Sequence, residues 1–290
     1  MNLFSYELNS RIQEIIDGHS YKITPLALKN HLASESRFSE EDIKAAIKLL
    51  VADGSLMYTN YFGTTYIEKS IKTPVRLSEH VILKPPEVDI KSHENEVIVN
   101  LLPGAAFGMG DHPSTRLAVS GLEYILGENG SKFIHDKSCM LDIGTGSGIL
   151  AIVALKLGVQ KAVGIDIDPC AVHEAKQNAG INGLSHRFLV SEDSIEGVLE
   201  KFDFITANLR YPTLIRLFKE ILSRSKDGGI IIMSGIKTDE ISNIRKTYDE
   251  KHFSYIWSEK EKSWASLAFQ KRKGRSGIHF IRSFFSAWYK

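Results

Sequence analysis

Cysteine is nearly absent from this chain: there are two in 290 residues, Cys139 and Cys170, with no CxxC spacing. That excludes a disulfide framework and argues against a cysteine-built zinc site. Neither sign of charge dominates, with 36 basic against 35 acidic side chains and a formal net charge of +1. No whole-molecule attraction to nucleic acid or anionic lipid is therefore expected. No uninterrupted apolar run approaches the roughly 18–20 residues that span a bilayer. The opening Met1-Asn2-Leu3-Phe4-Ser5-Tyr6 has no basic region followed by an apolar one, so no signal peptide is expected. Internal repeats and low-complexity tracts are lacking too. What is present, 43% apolar and 24% charged residues, is the composition of a folded protein. The length corresponds to about two ordinary domains, and a cytoplasmic location is expected.

Residues 1–70 read as helices followed by a hairpin. Thr24-Pro25 is a cap and first-turn pair, and Ser39 caps a second helix whose first turn holds Glu40, Glu41 and Asp42. Ile43, Ala46, Ile47 and Leu50 recur at helical spacing until Asp53-Gly54. Leu56–Tyr61 and Thr64–Ile67 flank Phe62-Gly63 as two β-prone runs. This order resembles a winged helix, a module that often binds DNA. Its seven Lys/Arg are outnumbered by nine Asp/Glu, however, and phosphate neutralisation dominates DNA affinity. Duplex DNA is accordingly disfavoured as a partner. Residues 71–102 alternate like extended strands around Pro85-Pro86 and read as a connecting hairpin region.

Beyond residue 103 short apolar strands alternate with helices. Strand candidates are Cys139–Ile143, Lys161–Ile167, Phe188–Val190, Phe202–Ala207 and Gly229–Ser234. Helices are expected over Ile149–Leu157 and from Asp168-Pro169 to about Asn178. The rhythm implies an α/β fold with a mostly parallel sheet covered by helices on both faces, over residues 103–272. Residues 273–290 form a basic, aromatic tail. With Lys271 and Arg272 just before it, that end carries six Lys/Arg and no acidic residue, interleaved with Phe280, Phe284, Phe285, Trp288 and Tyr289. Such a tail either docks on its own protein or a second copy, or contacts RNA or a membrane surface.

The sharpest signal is Asp142-Ile143-Gly144-Thr145-Gly146-Ser147-Gly148, between a strand and a helix. Such a turn lets the backbone approach a ligand beyond the strand ends. Position 149 is Ile, so the third glycine of the dinucleotide fingerprint is missing. Asp142 would repel a pyrophosphate but could hold a cationic amino group, directly or through water. Asp166, 22 residues after Gly144, can accept both ribose hydroxyls. A ribose, an amino-acid tail and no phosphates describe S-adenosylmethionine.

Residues 103–115, Pro-Gly-Ala-Ala-Phe-Gly-Met-Gly-Asp-His-Pro-Ser-Thr, together with Leu141–Asn182, Thr206-Ala207-Asn208, Met233-Ser234-Gly235-Ile236 and Lys262-Ser263-Trp264-Ala265, resemble the ribosomal protein L11 methyltransferase family. That family belongs to the class I, Rossmann-like methyltransferases. Residues 1–70 do not resemble its usual N-terminal domain. The resemblance implies cofactor-binding roles for Thr115, Gly144, Asp166 and Asn208, with Phe107, Gly108 and His112 in a segment closing over the ligand. Asp193 falls near the adenine amino group, followed by Ser194. The remaining loop and strand-end positions, Asp142, Thr145, Gly146, Gly148 and Ile167, complete the candidate cofactor site. Asn208 is the candidate catalytic residue, its side-chain oxygen suited to accept a hydrogen bond from an amine acceptor. Met109 and Asp111 replace two threonines of the family pattern, and Leu209-Arg210-Tyr211-Pro212 follows Asn208 in place of a small apolar run. Trp264 reads as a core residue.

The resemblance implies an S-adenosylmethionine-dependent N-methyltransferase acting on a protein amine, with a ribosomal protein as its substrate. Two alternatives stay open: the same chemistry on a small molecule or RNA, and a winged-helix regulator using the cofactor domain as a sensor. No metal site is expected.

Overall fold

The computed structural model describes residues 3–18, 23–35, 37–61, 63–69, 74–102, 112–127, 133–249 and 252–273. The chain opens with α1 (Leu3–Gly18), α2 (Pro25–Ser34) and α3 (Glu40–Ala52), then the antiparallel pair β1 (Leu56–Tyr61) and β2 (Thr64–Lys69). The caps read from sequence are made: Thr24 Oγ1 accepts the amide of Ala27 and Ser39 Oγ that of Asp42, both at 3.1 Å. Leu8, Ile12 and Ile15 of α1 join Leu28, Leu32, Ile43, Ile47, Leu50, Leu56 and Ile67 in a hydrophobic cluster of their own.

Next comes a small sheet of β3 (Val75–Arg76), β4 (Val81–Lys84) and β5 (Val97–Asn100). β3 and β4 pair antiparallel, as in a hairpin, whereas β5 adds to β4 in parallel. The return to a parallel strand uses the turn-rich stretch that Pro85-Pro86 begins.

The largest sheet among the described residues has seven strands. These are β6 (Cys139–Ile143), β7 (Lys161–Ile165), β8 (Phe188–Ser191), β9 (Phe202–Asn208), β10 (Ser225–Lys237), β11 (Phe253–Glu261) and β12 (Trp264–Lys271), in the order β11-β12-β10-β9-β6-β7-β8. The five strands from β10 to β8 are parallel, and β12 and β11 close one side antiparallel. Alternate side chains feed two cores. Met140, Phe204, Ile230 and Ile232 pack under α4 (Pro113–Leu126), α5 (Ile149–Lys156) and α6 (Pro169–Ile181). Leu141, Ile205, Ile231 and Met233 pack under α7 (Tyr211–Arg216), α8 (Phe218–Arg224) and α9 (Ile241–Asp249). This is the two-faced burial of a class I methyltransferase sheet. Each fully buried Leu, Ile or Phe contributes on the order of 1.5–3 kcal/mol.

The chain runs β6, β7, β8 outward to one side, then returns to place β9 on the other side of β6. That reversal opens a crevice between the C-terminal ends of β6 and β9, where ligands bind in such sheets. Among the described residues no helix is long and apolar enough to cross a membrane.

Candidate active site

The floor of the crevice is the glycine turn. Gly144, Gly146 and Gly148 take φ values of +68°, +55° and +82°, the left-handed region that side-chain-bearing residues pay to enter. The turn folds back on β7, with the amides of Gly144 and Thr145 both donating to the Ile165 carbonyl, at 2.9 and 3.0 Å. Gly148 caps α5, and a β-carbon there would stand 3.0 Å from the Phe188 ring and 3.2 Å from Ala175 Cβ. From α6, the buried Asn178 donates to the Ser147 carbonyl at 2.9 Å and accepts the Leu102 amide at 3.0 Å.

Two carboxylates hold this turn. Asp142 is buried beneath it, 1% exposed, and accepts the hydroxyls of Thr145 at 2.7 Å and Thr206 at 2.5 Å. Burial pushes its pKa up to about 6, against the pull of those two hydrogen bonds. Asp166 stands half-buried at the end of β7. Its Oδ2 accepts the Gly146 amide at 2.9 Å and its Oδ1 accepts that of Asp168 at 3.0 Å. An ionised carboxylate offers about four acceptor positions, so two amides leave capacity for ligand hydroxyls. Ile167 follows, 82% exposed, an apolar side chain available to a flat ring. Asp193 and Ser194 are exposed just beyond β8, and Ser194 precedes the 3-10 turn Ile195–Gly197.

The opposite wall is β9. Asn208 ends that strand, and its Oδ1 is buried without a hydrogen-bond partner among the described residues. Its neighbour Leu209 donates to the Ser234 carbonyl at 3.1 Å, while Ser234 Oγ donates to the Ser114 carbonyl at 2.7 Å. Thr115, fully buried in the first turn of α4, also has a hydroxyl oxygen with no partner among the described residues. His112 is the N-cap of α4, its Nδ1 accepting the Ser114 amide at 3.1 Å. Unmet buried polar atoms are costly; these two are among nine in the described residues, and both could accept hydrogen bonds from ligand groups.

Trp264 departs from the core position expected for it. It is half-buried at the start of β12, with the His112 ring edge-on at 4.8 Å, Lys237 Nζ 3.6 Å over its face and Arg210 Cζ at 5.7 Å. The sequence signal was the Lys-Ser-Trp-Ala match itself, whereas the apolar neighbours pointed inward. Phe107 and Gly108, with Met109 and Asp111, lie outside the described residues, as do residues 274–290 of the tail. Among the described residues no His, Cys, Asp or Glu cluster is arranged to hold a metal ion.

The donor set favours a ligand without phosphates. The turn carries no Lys or Arg and has carboxylates beneath it and beside it. A sugar can meet Asp166, a base can meet Ile167 and Asp193, and polar ligand groups can meet the oxygens of Thr115 and Asn208.

Comparison with known proteins agrees with this arrangement. The family model for ribosomal protein L11 methyltransferase (PrmA) matches residues 65–272. A protein of that name from Geotalea uraniireducens is 34% identical over 201 residues, covering 68% of this chain and 64% of its own length. Another from Caldicellulosiruptor bescii is 31% identical over 235 residues, covering 80% and 74%. The crystal structure of a ribosomal protein L11 methylase from Lactobacillus delbrueckii subsp. bulgaricus superposes with a TM-score of 0.61 at 30% identity, over 69% of this chain and 98% of that one. The chain spans just under two thirds of the length of the Geotalea protein and of relatives from Geobacter sp. (strain M21) and Citrifermentans bemidjiense. From residue 65 to residue 272, its fold, its glycine turn and its sequence agree: the chain belongs to the ribosomal protein L11 methyltransferase family.

Proposed function

We propose that the chain is an S-adenosylmethionine-dependent N-methyltransferase that modifies amines of a protein, a ribosomal protein of the L11 type in particular. The observation that carries this reading is the pairing of a glycine turn without Lys or Arg, anchored by Asp166, with the Asn208 oxygen that has no partner among the described residues. When bound, the cofactor supplies a methyl carbon activated by its sulfonium and departs as a neutral thioether. Asp166 would take the ribose hydroxyls, Ile167 and Asp193 the adenine, and the turn from Gly144 to Gly148 the amino-acid portion. Thr115 offers a further polar contact. Asp142 supports the turn from below. His112 fixes the start of α4 and presents its ring toward Trp264.

An amine acceptor must be neutral to attack, and a free lysine has a pKa of about 10.4. Asn208 Oδ1 can accept a hydrogen bond from the neutral amine and so aim its lone pair. Fixing donor and acceptor in line supplies most of what such a transfer needs from a protein. Residues 1–70 would form a separate winged-helix-like module, 71–102 a connection and 103–272 the catalytic domain. Action on a ribosomal protein carries with it a cytoplasmic location.

The test is incubation of the full chain with tritiated methyl donor and purified L11, beside a cell extract. Label entering L11 at amine positions is expected. Label confined to RNA or small molecules would redirect the substrate assignment while leaving the cofactor assignment standing.

A further inference from the structure

We propose that the groove between α2, α3 and β1 is a docking site for an acidic amphipathic segment of another protein. The groove has a volume of about 420 Å³ and is lined by Pro25, Leu26, Ile47, Val51 and Tyr58, with Lys29, Lys44 and Lys48 around it. Ile47 forms a buried floor, while Leu26 and Tyr58 remain 66% and 49% exposed at the lips. Their apolar surface continues inward to the Ile47 floor, so a partner's apolar side chain would meet a shaped recess rather than a flat face. The volume suits a few large apolar side chains.

The charge around the groove selects the occupant. Lys44 and Lys48 sit one helical turn apart on α3, with no carboxylate in ion-pair distance among the described residues. Lys29 is held by Glu40 at 2.5 Å. No acidic residue lines the groove, although residues 1–70 as a whole carry nine acids against seven bases. The positive charge at the rim is therefore local and rests on Lys44 and Lys48, since Glu40 offsets Lys29 and reaches Lys44 electrostatically; it faces an apolar floor. A segment with leucine or phenylalanine on one side and glutamate or aspartate on the other satisfies both.

Two other occupants fit less well. The chain's own residues 271–290 have six basic and no acidic side chains, so they would meet like charge at the rim. A nucleic acid would find a groove floor that is aliphatic, around Ile47 and Val51, rather than a stacking platform. The groove lies wholly before residue 65, where the family match begins. The inference is thus independent of the methyl-transfer reading.

The experiment is fluorescence anisotropy on the full chain with three labelled probes. These are an amphipathic helical peptide with leucine and phenylalanine on one face and glutamate on the other, its counterpart with lysine for glutamate, and an oligouridylate. The acidic peptide is expected to bind, and to bind less as salt is raised. A Lys44→Glu/Lys48→Glu double variant, both changes being on exposed side chains, should bind it roughly tenfold or more weakly and prefer the lysine peptide. Replacing the peptide's apolar face by serine should abolish binding to the unaltered chain, a result that needs no protein variant. Failure of the acidic peptide to bind, indifference of its affinity to both changes, or tighter capture of oligouridylate through the same lysines would overturn the proposal.

Discussion

Asn208 leaves Gly235 no room for a side chain: a β-carbon placed on Gly235 would stand 3.1 Å from the Asn208 side-chain oxygen and 2.6 Å from the Leu209 carbonyl oxygen. Gly235 also has φ of +78°, costing a non-glycine residue about 1–2 kcal/mol. The nearest obstruction is main chain, which cannot swing aside. Gly235→Ala should lower the melting temperature by several degrees, at roughly 2–4 °C per kcal/mol for a chain of this size. It should also reduce methyl transfer more than cofactor affinity if, as proposed, Asn208 aligns the acceptor, because the intruding methyl presses on the Leu209 main chain and the Asn208 side chain. Calorimetric melting beside single-turnover kinetics reads both effects; a variant with unchanged turnover would separate Gly235 from Asn208 altogether.

Asn208→Ala removes the oxygen proposed to accept the amine's hydrogen bond while leaving the glycine turn untouched. Turnover is expected to fall on the order of 10–100-fold, the value of about 1.4–2.8 kcal/mol for one oriented hydrogen bond. Isothermal titration with the demethylated cofactor should show far less change. Full activity on the true acceptor would discard the catalytic role.

Asp166→Ala takes away the acceptor of the Gly146 and Asp168 amides as well as the proposed ribose partner. Hydrogen bonds to a charged group are worth about 1.5–3 kcal/mol each, so the cofactor dissociation constant should rise at least about tenfold. An unaltered dissociation constant is the outcome that contradicts the assignment.

Asp142 makes stability depend on pH in an unusual direction. Its pKa rises from 3.8 in the unfolded chain to about 6 in the fold, so between those values the folded state holds a proton that the unfolded state has released. Stability therefore falls as pH climbs from about 4 to 6, by up to about 3 kcal/mol at about 1.4 kcal/mol per pH step, and is level above that. Asp142→Asn keeps a side chain able to bond both the Thr145 and Thr206 hydroxyls and removes the titration. Denaturant melts of the ligand-free variant should lack that slope and should match or exceed the original at pH 7. A slope that survives the substitution points to another group.

Much of this architecture was legible because its signals are local. The caps at Thr24 and Ser39, the stop at Asp53-Gly54 and the apolar strands around Leu141, Val163 and Ile205 declare themselves within a few residues. The antiparallel arm did not. β11 and β12 turn at Lys262, which takes φ of +54° where glycine or asparagine ordinarily marks such a turn. β10 extends to thirteen residues, well beyond Gly229–Ser234, since its polar ends pair by backbone rather than by pattern. At the site, the spacing of Asp142, the glycines and Asp166 could be read directly. The Thr206 hydroxyl that occupies Asp142, the close approach of Gly235 to Asn208, and the cations around Trp264 come from distant segments. Only the assembled sheet brings those together.

The first three helices and their hairpin keep an oily interior to themselves, from Leu8 to Ile67. Refitting Leu26 or Lys44 to a different partner consequently exacts no toll on Ile143 or Leu150, which belong to other interiors. Descendants of this chain can acquire new addresses without relearning how to bend around Gly144.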